Sequence, residues 1–454
     1  MDPQEPLAAE RPRPPVPPQI ARAPVRRLLQ PLARFLKIQS ASGIVLMVCT
    51  AIALALANSR WADVVAAFWH THLSLTVGSW ELNESLVHWV NDGLMTIFFF
   101  VVGLEIKREL VDGELRSFRK AALPILGAVG GMIAPAAIYL LLQGGREAQR
   151  GWAIPMATDI AFAVGILALL GNRVPLGLKI FLLALAIADD IGAILVIALF
   201  YSTNVALGPL AMAAAGLAIV AAMNRLGVRS ITAYVVTGAA IWLAMYYSGI
   251  HPTIAGVALG LMTPGRAWLE IQSLAELLLD AVDRLDGKID RPSPHEQVHL
   301  VGALTMTARE TVSPLERLEM GLHPWVAFGI MPIFALANAG VVIEPKAFQG
   351  VSLAVAAGLA LGKPMGIIFC SWLAVRWGLA QLPAGVTWMT VLGAGCLGGV
   401  GFTMSLFVAN LGLEGTLLDS AKIGVLAGSA VSAVAGFILL WVYLPRAHAS
   451  GPAD

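Results

Sequence analysis

Residues 182–200 read LLALAIADDIGAILVIALF, an apolar run with two adjacent carboxylates, Asp189 and Asp190, at its centre. A helix that crosses a membrane needs about 20 consecutive apolar residues. One charge at the centre of such a helix costs about 2.5–3.5 kcal/mol on the scale from insertion experiments, so intramembrane acids usually mark functional sites. The pair therefore predicts a site at membrane depth. The alternative is a buried helix of a soluble protein with a satisfied acidic pair, and the rest of the chain decides between them.

The amino-acid composition favours a membrane protein over a soluble one. Of the 454 residues, 57% are hydrophobic and only 13% are charged, and the mean hydropathy is +0.76. A soluble domain carries about 25% charged residues. We therefore expect a polytopic membrane protein whose partner is the lipid bilayer, and the net charge of +1 gives no indication of nucleic acid. Cys49, Cys370 and Cys396 lie in apolar runs, which predicts buried hydrophobic residues, not disulfides or metal ligands.

Hydropathy predicts an all-α fold of about twelve transmembrane helices. The spans fall near residues 40–58, 86–105, 121–142, 152–170, 176–200, 206–223, 231–248, 251–263, 323–343, 351–376, 387–411 and 422–444. Of the 30 lysines and arginines, 24 fall in segments or at span ends on the side of the N-terminus, 5 fall in segments or at span ends on the other side, and Lys363 falls deep inside a span. Because basic residues concentrate in cytoplasmic segments, this bias predicts that both termini are cytoplasmic.

Four segments lie outside these spans. Residues 73–83 read LSLTVGSWELN, and their alternation around Gly-Ser predicts a β-hairpin. An isolated hairpin is marginally stable and would gain by pairing with a second copy, so a homodimer contact and an ordinary loop stay open. Residues 264–322 form a polar cytoplasmic insert between spans eight and nine, with an amphipathic helix predicted at 270–285 and a linker at 286–296. Residues 1–37 predict a disordered basic cytoplasmic tail, and residues 446–454 a second cytoplasmic tail.

The two central acids have a chemistry of their own. Asp189 and Asp190 lie about 100° apart around one helix, so both can point into a cavity. Two acids this close titrate as a coupled pair, which can hold either protons or a small cation. That competition is the simplest physical basis of a proton-coupled exchanger.

Two more charges lie deep inside spans, away from the span ends. Asp159 lies four residues after Pro155, which removes a backbone hydrogen bond and breaks a helix. An acid beside such a break can neutralise an exposed helix N-terminus, although a plain N-cap would use the same physics without transport. Lys363, followed by Pro364, can pair with a carboxylate or face negative helix ends. Snorkelling to the interface is the alternative, and it is less favoured because apolar residues extend on both sides.

The eleventh span contains a second break. Residues 398–407 read GGVGFTMSLF, and the glycines predict an unwound centre. The pairs Thr158…Phe162 and Thr403…Phe407 share one spacing. Interrupted spans at corresponding positions of two halves indicate a transporter site, although a five-residue pattern also recurs by chance.

The remaining titratable groups of interest lie at span ends. Glu105, Arg108 and Glu109 follow i, i+3, i+4 spacing, which fits a salt-bridged face at a cytoplasmic mouth or a plain solvated helix end. Histidine changes charge near neutral pH, although a single histidine at a span end is usually structural. The other members of this set are His251, Glu319 and His323.

These segments together resemble the NhaA family of bacterial sodium/proton antiporters over residues 38–445. The motifs that carry the resemblance are NDGLM (91–95), GLEIKRE (103–109), ATDIAF (157–162), ADDIGA (188–193), SGIH (248–251), LHPW (322–325), ALANAGV (335–341) and GKP (362–364). The chain departs from the family where Leu318-Glu319-Met320 replaces a common Leu-Glu-His, and where Glu316 replaces a basic residue. Both departures bear on where the pH response lies.

The resemblance implies twelve helices in two inverted repeats, with two broken helices that cross at mid-membrane. It implies Asp190 as the main ligand of the transported Na⁺ with Asp189 beside it, Asp159 and Thr158 at the crossing, and Lys363 balancing the helix ends and pairing with Asp189. The same resemblance assigns Glu105, Arg108, Glu109, Glu319 and His323 to a cytoplasmic pH-responsive region, and His251 to the far side.

The function implied is secondary transport without a cofactor, not an enzymatic activity. A Na⁺/H⁺ and Li⁺/H⁺ antiporter of the bacterial inner membrane would extrude sodium in exchange for external protons, electrogenically and under pH control, for sodium and pH homeostasis. Residues 38–445 would form the antiporter domain. An intramembrane aspartyl protease also uses paired acids, but on different helices and with a Gly-x-Gly-Asp signature, which this chain lacks. A cation channel is a third possibility, and its filter should be ringed by repeated subunits.

Overall fold

A computed structural model of the protein describes residues 41–77, 80–143, 147–202, 205–228, 230–269, 271–285, 293–343 and 350–444. A helix lies at each of the twelve predicted spans, numbered here in chain order. They are Ala41–Ala57 (1); Leu86–His88, Trp89–Leu94 and Met95–Val111, continuous through a π-helical turn (2); Phe118–Leu142 (3); Ala148–Met156 and Ile160–Leu169 (4); Leu176–Phe200 (5); Leu207–Arg225 (6); Ile231–Ser248 (7); Thr253–Met262 (8); Pro314–Trp325, Val326–Ile330 and Met331–Asn338 (9); Val351–Ala357, Gly358–Gly362 and Lys363–Arg376 (10); Trp388–Gly398 and Phe402–Gly412 (11); and Gly415–Tyr443 (12).

The helices have membrane-spanning dimensions. In the part of the chain that the structure describes, eight of them are long and apolar enough to cross a membrane unaided. Span 11 is bent by 46° at its break, and span 1 is followed by a short helix, Ala62–Trp69, that turns away by 116°. The predicted fold class is confirmed: an all-α polytopic membrane protein with broken spans.

The predicted hairpin is present. Strand β1 (His72–Val77) pairs antiparallel with strand β2 (Trp80–Ser85), and the register runs from His72 opposite Ser85 to Val77 opposite Trp80. Its pairing with another chain stays a prediction.

The polar insert contains two helices, Ile271–Leu285 and Pro294–Glu310. The first confirms the predicted amphipathic helix. The linker prediction is wrong at its end, because Ser293 and Glu296 form a capping box that begins the second helix at Pro294. A similar box of Ser313 and Glu316 begins span 9 at Pro314, nine residues earlier than the sequence predicted. Residues 286–292 and both tails lie outside the described residues.

The spans pack as two groups. Spans 3, 4, 5, 10, 11 and 12 make their closest contacts with one another, and spans 1, 2, 6, 7, 8 and 9 do the same. Glycines permit the tightest approaches: a Cβ on Gly366 of span 10 would collide with the backbone of Gly130 of span 3, and one on Gly103 of span 2 would lie 3.2 Å from Gly260 of span 8. The two buried acids of span 5 belong to the first group. We call these sets the first and second packing groups.

Candidate ion-binding site

The breaks in spans 4 and 11 lie against each other. Span 4 is extended at residues 157–159, between a 3₁₀-helical half and an α-helical half. The Asp159 N–H donates to the Val400 carbonyl at 2.7 Å, and the Thr158 hydroxyl donates to the Gly398 carbonyl at 2.8 Å. Backbone groups that each break frees are thus satisfied by the other broken span, which is how irregular backbone is tolerated at membrane depth.

Asp159 caps two helices at once. One of its oxygens accepts from the Phe162 N–H at 3.1 Å, which caps the second half of span 4. Its other oxygen accepts from the Thr403 N–H at 3.2 Å and from the Thr403 hydroxyl, at the start of the second half of span 11. A carboxylate between two helix N-termini offsets the positive ends of both dipoles. The predicted neutralising position of Asp159 agrees with this geometry.

Lys363 contacts a helix C-terminus, whereas Asp159 caps helix N-termini. Its Nζ donates to the carbonyl of Met156, the last residue of the first half of span 4, and to Asp189 Oδ2 at 2.6 Å. Both side chains are buried, with exposed fractions of 0% for Lys363 and 1% for Asp189. A positive charge at a helix C-terminus and beside a carboxylate is favourable on both counts. Lys363 therefore does not snorkel in this structure.

The acidic pair retains free acceptor capacity. Asp190 is 2% exposed. Among the described residues, one oxygen each of Asp189 and Asp190 is buried without a hydrogen-bond partner. A buried polar atom without a partner is costly and calls for an explanation such as an ion or water. Carboxylate oxygens are hard ligands of the kind that small hard cations prefer.

Five of the six remaining predicted residues lie at one end of spans 2 and 9. Arg108 forms an ion pair with Glu319, which joins the two spans. The side chain of Glu109 accepts from the Glu114 N–H at 3.1 Å and so caps the following turn. Glu105 is half-buried one turn before Arg108, and His323, one turn after Glu319, is exposed. The cluster is therefore partly an inter-span contact and partly a helix cap.

His251 lies at the other end of the second packing group. Its Nε2 is 3.4 Å from Asp92 Oδ1, its Nδ1 is 2.8 Å from the Thr253 hydroxyl, and its ring contacts Phe407 edge to face. The structure thus separates His251 from the Arg108–Glu319 pair.

Sequence reasoning missed two residues with direct contacts to the predicted ones. Thr403 binds Asp159, and its signal was the spacing it shares with Thr158. Asp92 pairs with His251, and its signal was only that a carboxylate falls near the start of a span.

Comparison with known proteins places the chain among sodium/proton antiporters by similarity. The family model described as Na⁺/H⁺ antiporter 1 matches residues 33–440. A Na⁺/H⁺ antiporter NhaA of Rhodopirellula baltica is 50% identical over 425 residues, which cover 93% of this chain and 96% of that protein. Na⁺/H⁺ antiporter NhaA 2 of Sorangium cellulosum is 51% identical over 424 residues, 91% of this chain and 90% of that protein.

Proposed function

We propose, from the premise that this chain belongs to the Na⁺/H⁺ antiporter 1 family, that it is a secondary transporter which exchanges sodium for protons across a membrane. The names of its relatives, each a Na⁺/H⁺ antiporter, support this proposal. The single observation that carries it is the buried pair Asp189 and Asp190, with unpartnered oxygens, beside the crossing of two broken spans.

The exchange rests on competition at this pair. Asp190 is the main ligand of the sodium ion and Asp189 the second, because their free oxygens can replace part of the ion's water shell. Thr158 and Asp159 hold the crossing beside the pair through their bonds to Gly398, Val400 and Thr403. Protons and sodium exclude one another at coupled acids, so each bound sodium displaces protons. No cofactor takes part, since the driving force is the proton gradient.

Lys363 sets the resting state of the pair. Without sodium its ammonium compensates the charge of Asp189 at 2.6 Å. A sodium ion that binds Asp189 competes with that ammonium, which then retains the Met156 carbonyl as a partner. Lys363 of span 10 thus supplies a fixed positive charge beside Asp189, and the transported cation can replace it.

The direction follows from the topology predicted above, with both termini cytoplasmic in a bacterial inner membrane. Cytoplasmic Na⁺ or Li⁺ leaves as external protons enter, electrogenically, which serves sodium and pH homeostasis. The Arg108–Glu319 pair lies at the cytoplasmic end of spans 2 and 9, where Glu105, Glu109 and His323 complete a pH-responsive region. His251, paired with Asp92, responds on the far side.

The hairpin supplies the dimer contact of this proposal. Strands β1 and β2 form a two-stranded sheet. A second copy that adds its hairpin edge to edge would extend this sheet to four strands, which are independently more stable than two.

The test is exchange in proteoliposomes. The vesicle interior is made more acidic than the medium, and a pH-sensitive dye reports the interior pH. Na⁺ or Li⁺ is then added outside. Sodium-dependent collapse of the gradient is expected, together with accumulation of ²²Na⁺ inside the vesicles above its external concentration. A channel would pass sodium down its gradient without proton coupling, and a protease would give neither signal.

A further inference from the structure

Three asparagines meet at the end of the molecule that carries the hairpin. Asn91 of span 2 and Asn338 of span 9 exchange hydrogen bonds of 3.3 and 2.8 Å. Asn410 of span 11 donates to Asn338 Oδ1 at 3.0 Å. Asn338 is 1% exposed and the other two are half-buried. Polar side chains at such positions within spans usually have a function.

Two of the three belong to one packing group. Asn91 and Asn338 join spans 2 and 9 at this end, and the Arg108–Glu319 pair joins the same two spans at the opposite end. Spans 2 and 9 are thus joined by side-chain contacts at both ends.

Asn410 comes from the other group. It lies on Phe402–Gly412, the half-helix whose first turn is bound by Asp159. Its bond to Asn338 therefore crosses the boundary between the two packing groups, and it connects the broken span at the ion site to spans 2 and 9.

The bond can break without leaving a buried group unpaired. If Asn410 withdraws, Asn338 Oδ1 keeps the Asn91 amide as its donor, and the Asn410 amide keeps the Leu406 carbonyl at 2.8 Å. Only one hydrogen bond is lost, and the large penalty of an orphaned polar group does not arise. A contact with these properties suits an interaction that is made and broken in each cycle.

We propose that Asn410, Asn338 and Asn91 form a latch that positions the second half of span 11 and closes the ion site on the hairpin side, and that the Asn410–Asn338 bond must break for exchange. The inference rests on the proposed antiport, in which the site opens to each side in turn. The three asparagines are positioning residues and do not touch the transported ion.

The experiment bridges the latch covalently. Asn338→Cys and Asn410→Cys are combined in full-length protein whose Cys49, Cys370 and Cys396 are replaced by alanine. The pair is oxidised or treated with a short reducible thiol cross-linker, and the bridge is scored by intact mass. The proposal predicts that the bridge forms, that exchange falls to the rate of protein-free vesicles, and that reduction restores it.

A matched pair supplies the control. Asn91→Cys with Asn338→Cys bridges two spans of one group, so the bridged and reduced forms of this variant should exchange at the same rate. The proposal is overturned if the 338–410 pair does not bridge, if its bridged form exchanges at the unbridged rate, or if the control bridge also stops exchange.

A second measurement does not depend on the double variant. Leu411→Cys, next to Asn410 on the same half-helix, keeps the latch bond and should be labelled from the hairpin side by a membrane-impermeant thiol reagent faster during turnover with sodium than at rest. Equal labelling in both conditions would overturn the latch. Absence of sodium/proton exchange by the unmodified chain would instead refute the proposed function. The two failures can be told apart, because bridging is scored by mass and labelling by thiol modification, and neither readout is a transport assay.

Discussion

Replacement of Lys363 by alanine should reduce stability and exchange together. The lysine is fully buried, with its Nζ 2.6 Å from Asp189 and in contact with the Met156 carbonyl. Alanine leaves the Asp189 carboxylate without its buried partner, which costs about 3–5 kcal/mol. It also leaves a helix-end carbonyl without a donor, which costs about 1–3 kcal/mol. We therefore expect the free energy of unfolding to fall by at least about 3 kcal/mol, the lower limit for the broken ion pair alone.

The assay is denaturant-induced unfolding of detergent-solubilised protein, paired with exchange in vesicles. Lys179→Ala is the matched control, because it makes the same change at an exposed lysine of span 5. Lys363→Ala combined with Asp189→Asn removes both charges and should recover most of the lost stability, since removing a whole buried pair costs far less than removing one partner. Unfolding of Lys363→Ala at the wild-type midpoint, with unchanged exchange, would refute the reasoning.

Three further predictions concern the crossing, the pH response and the hairpin. Asp159→Ala removes the cap of two helices and should lower the melting temperature more than Asp159→Asn, which keeps one acceptor; equal melting would contradict the double cap. Arg108→Gln should displace the pH profile of vesicle exchange, whereas Lys120→Gln, which removes an exposed ion pair with Glu114 outside this region, should not, and identical profiles for both would contradict the assignment. Deletion of residues 73–83 should convert a dimer into a monomer by light scattering, and a persisting dimer would exclude the hairpin contact.

The sequence predicts the parts of this fold that depend on local pattern. Long apolar runs locate the spans, and Pro155 with the glycines of 398–401 locates both breaks. A charge at membrane depth needs a partner, so the sequence indicates that Lys363 pairs with a carboxylate or faces helix ends, and the family resemblance selects Asp189, which the structure shows in contact with it. Each of these inferences rests on an energetic cost, of a charge at membrane depth or of Pro and Gly within a helix, that can be recognised within one segment of the sequence.

The missed contacts depend on partners far along the chain. Asn91 and Asn338 are 247 residues apart, and a single asparagine near a span end carries no signal of its partner. The Met156 carbonyl that binds Lys363 belongs to the backbone, so the residue type at position 156 does not predict this contact. Hydropathy predicts the start of span 9 too late because the amphipathic turn after Ser313 is too polar for a hydropathy window, whereas the capping box of Ser313 and Glu316 marks the true start in the sequence.

Proton release on sodium binding tests the central claim most directly. Purified protein is titrated with Na⁺ by calorimetry in buffers of different ionisation enthalpy, so that the dependence of the measured heat on the buffer gives the number of protons released. Competition at Asp189 and Asp190 predicts proton release with sodium in the wild type, a weaker apparent sodium affinity at lower pH, and neither effect in Asp190→Asn. Sodium binding without proton release at every pH where exchange runs would contradict a shared site.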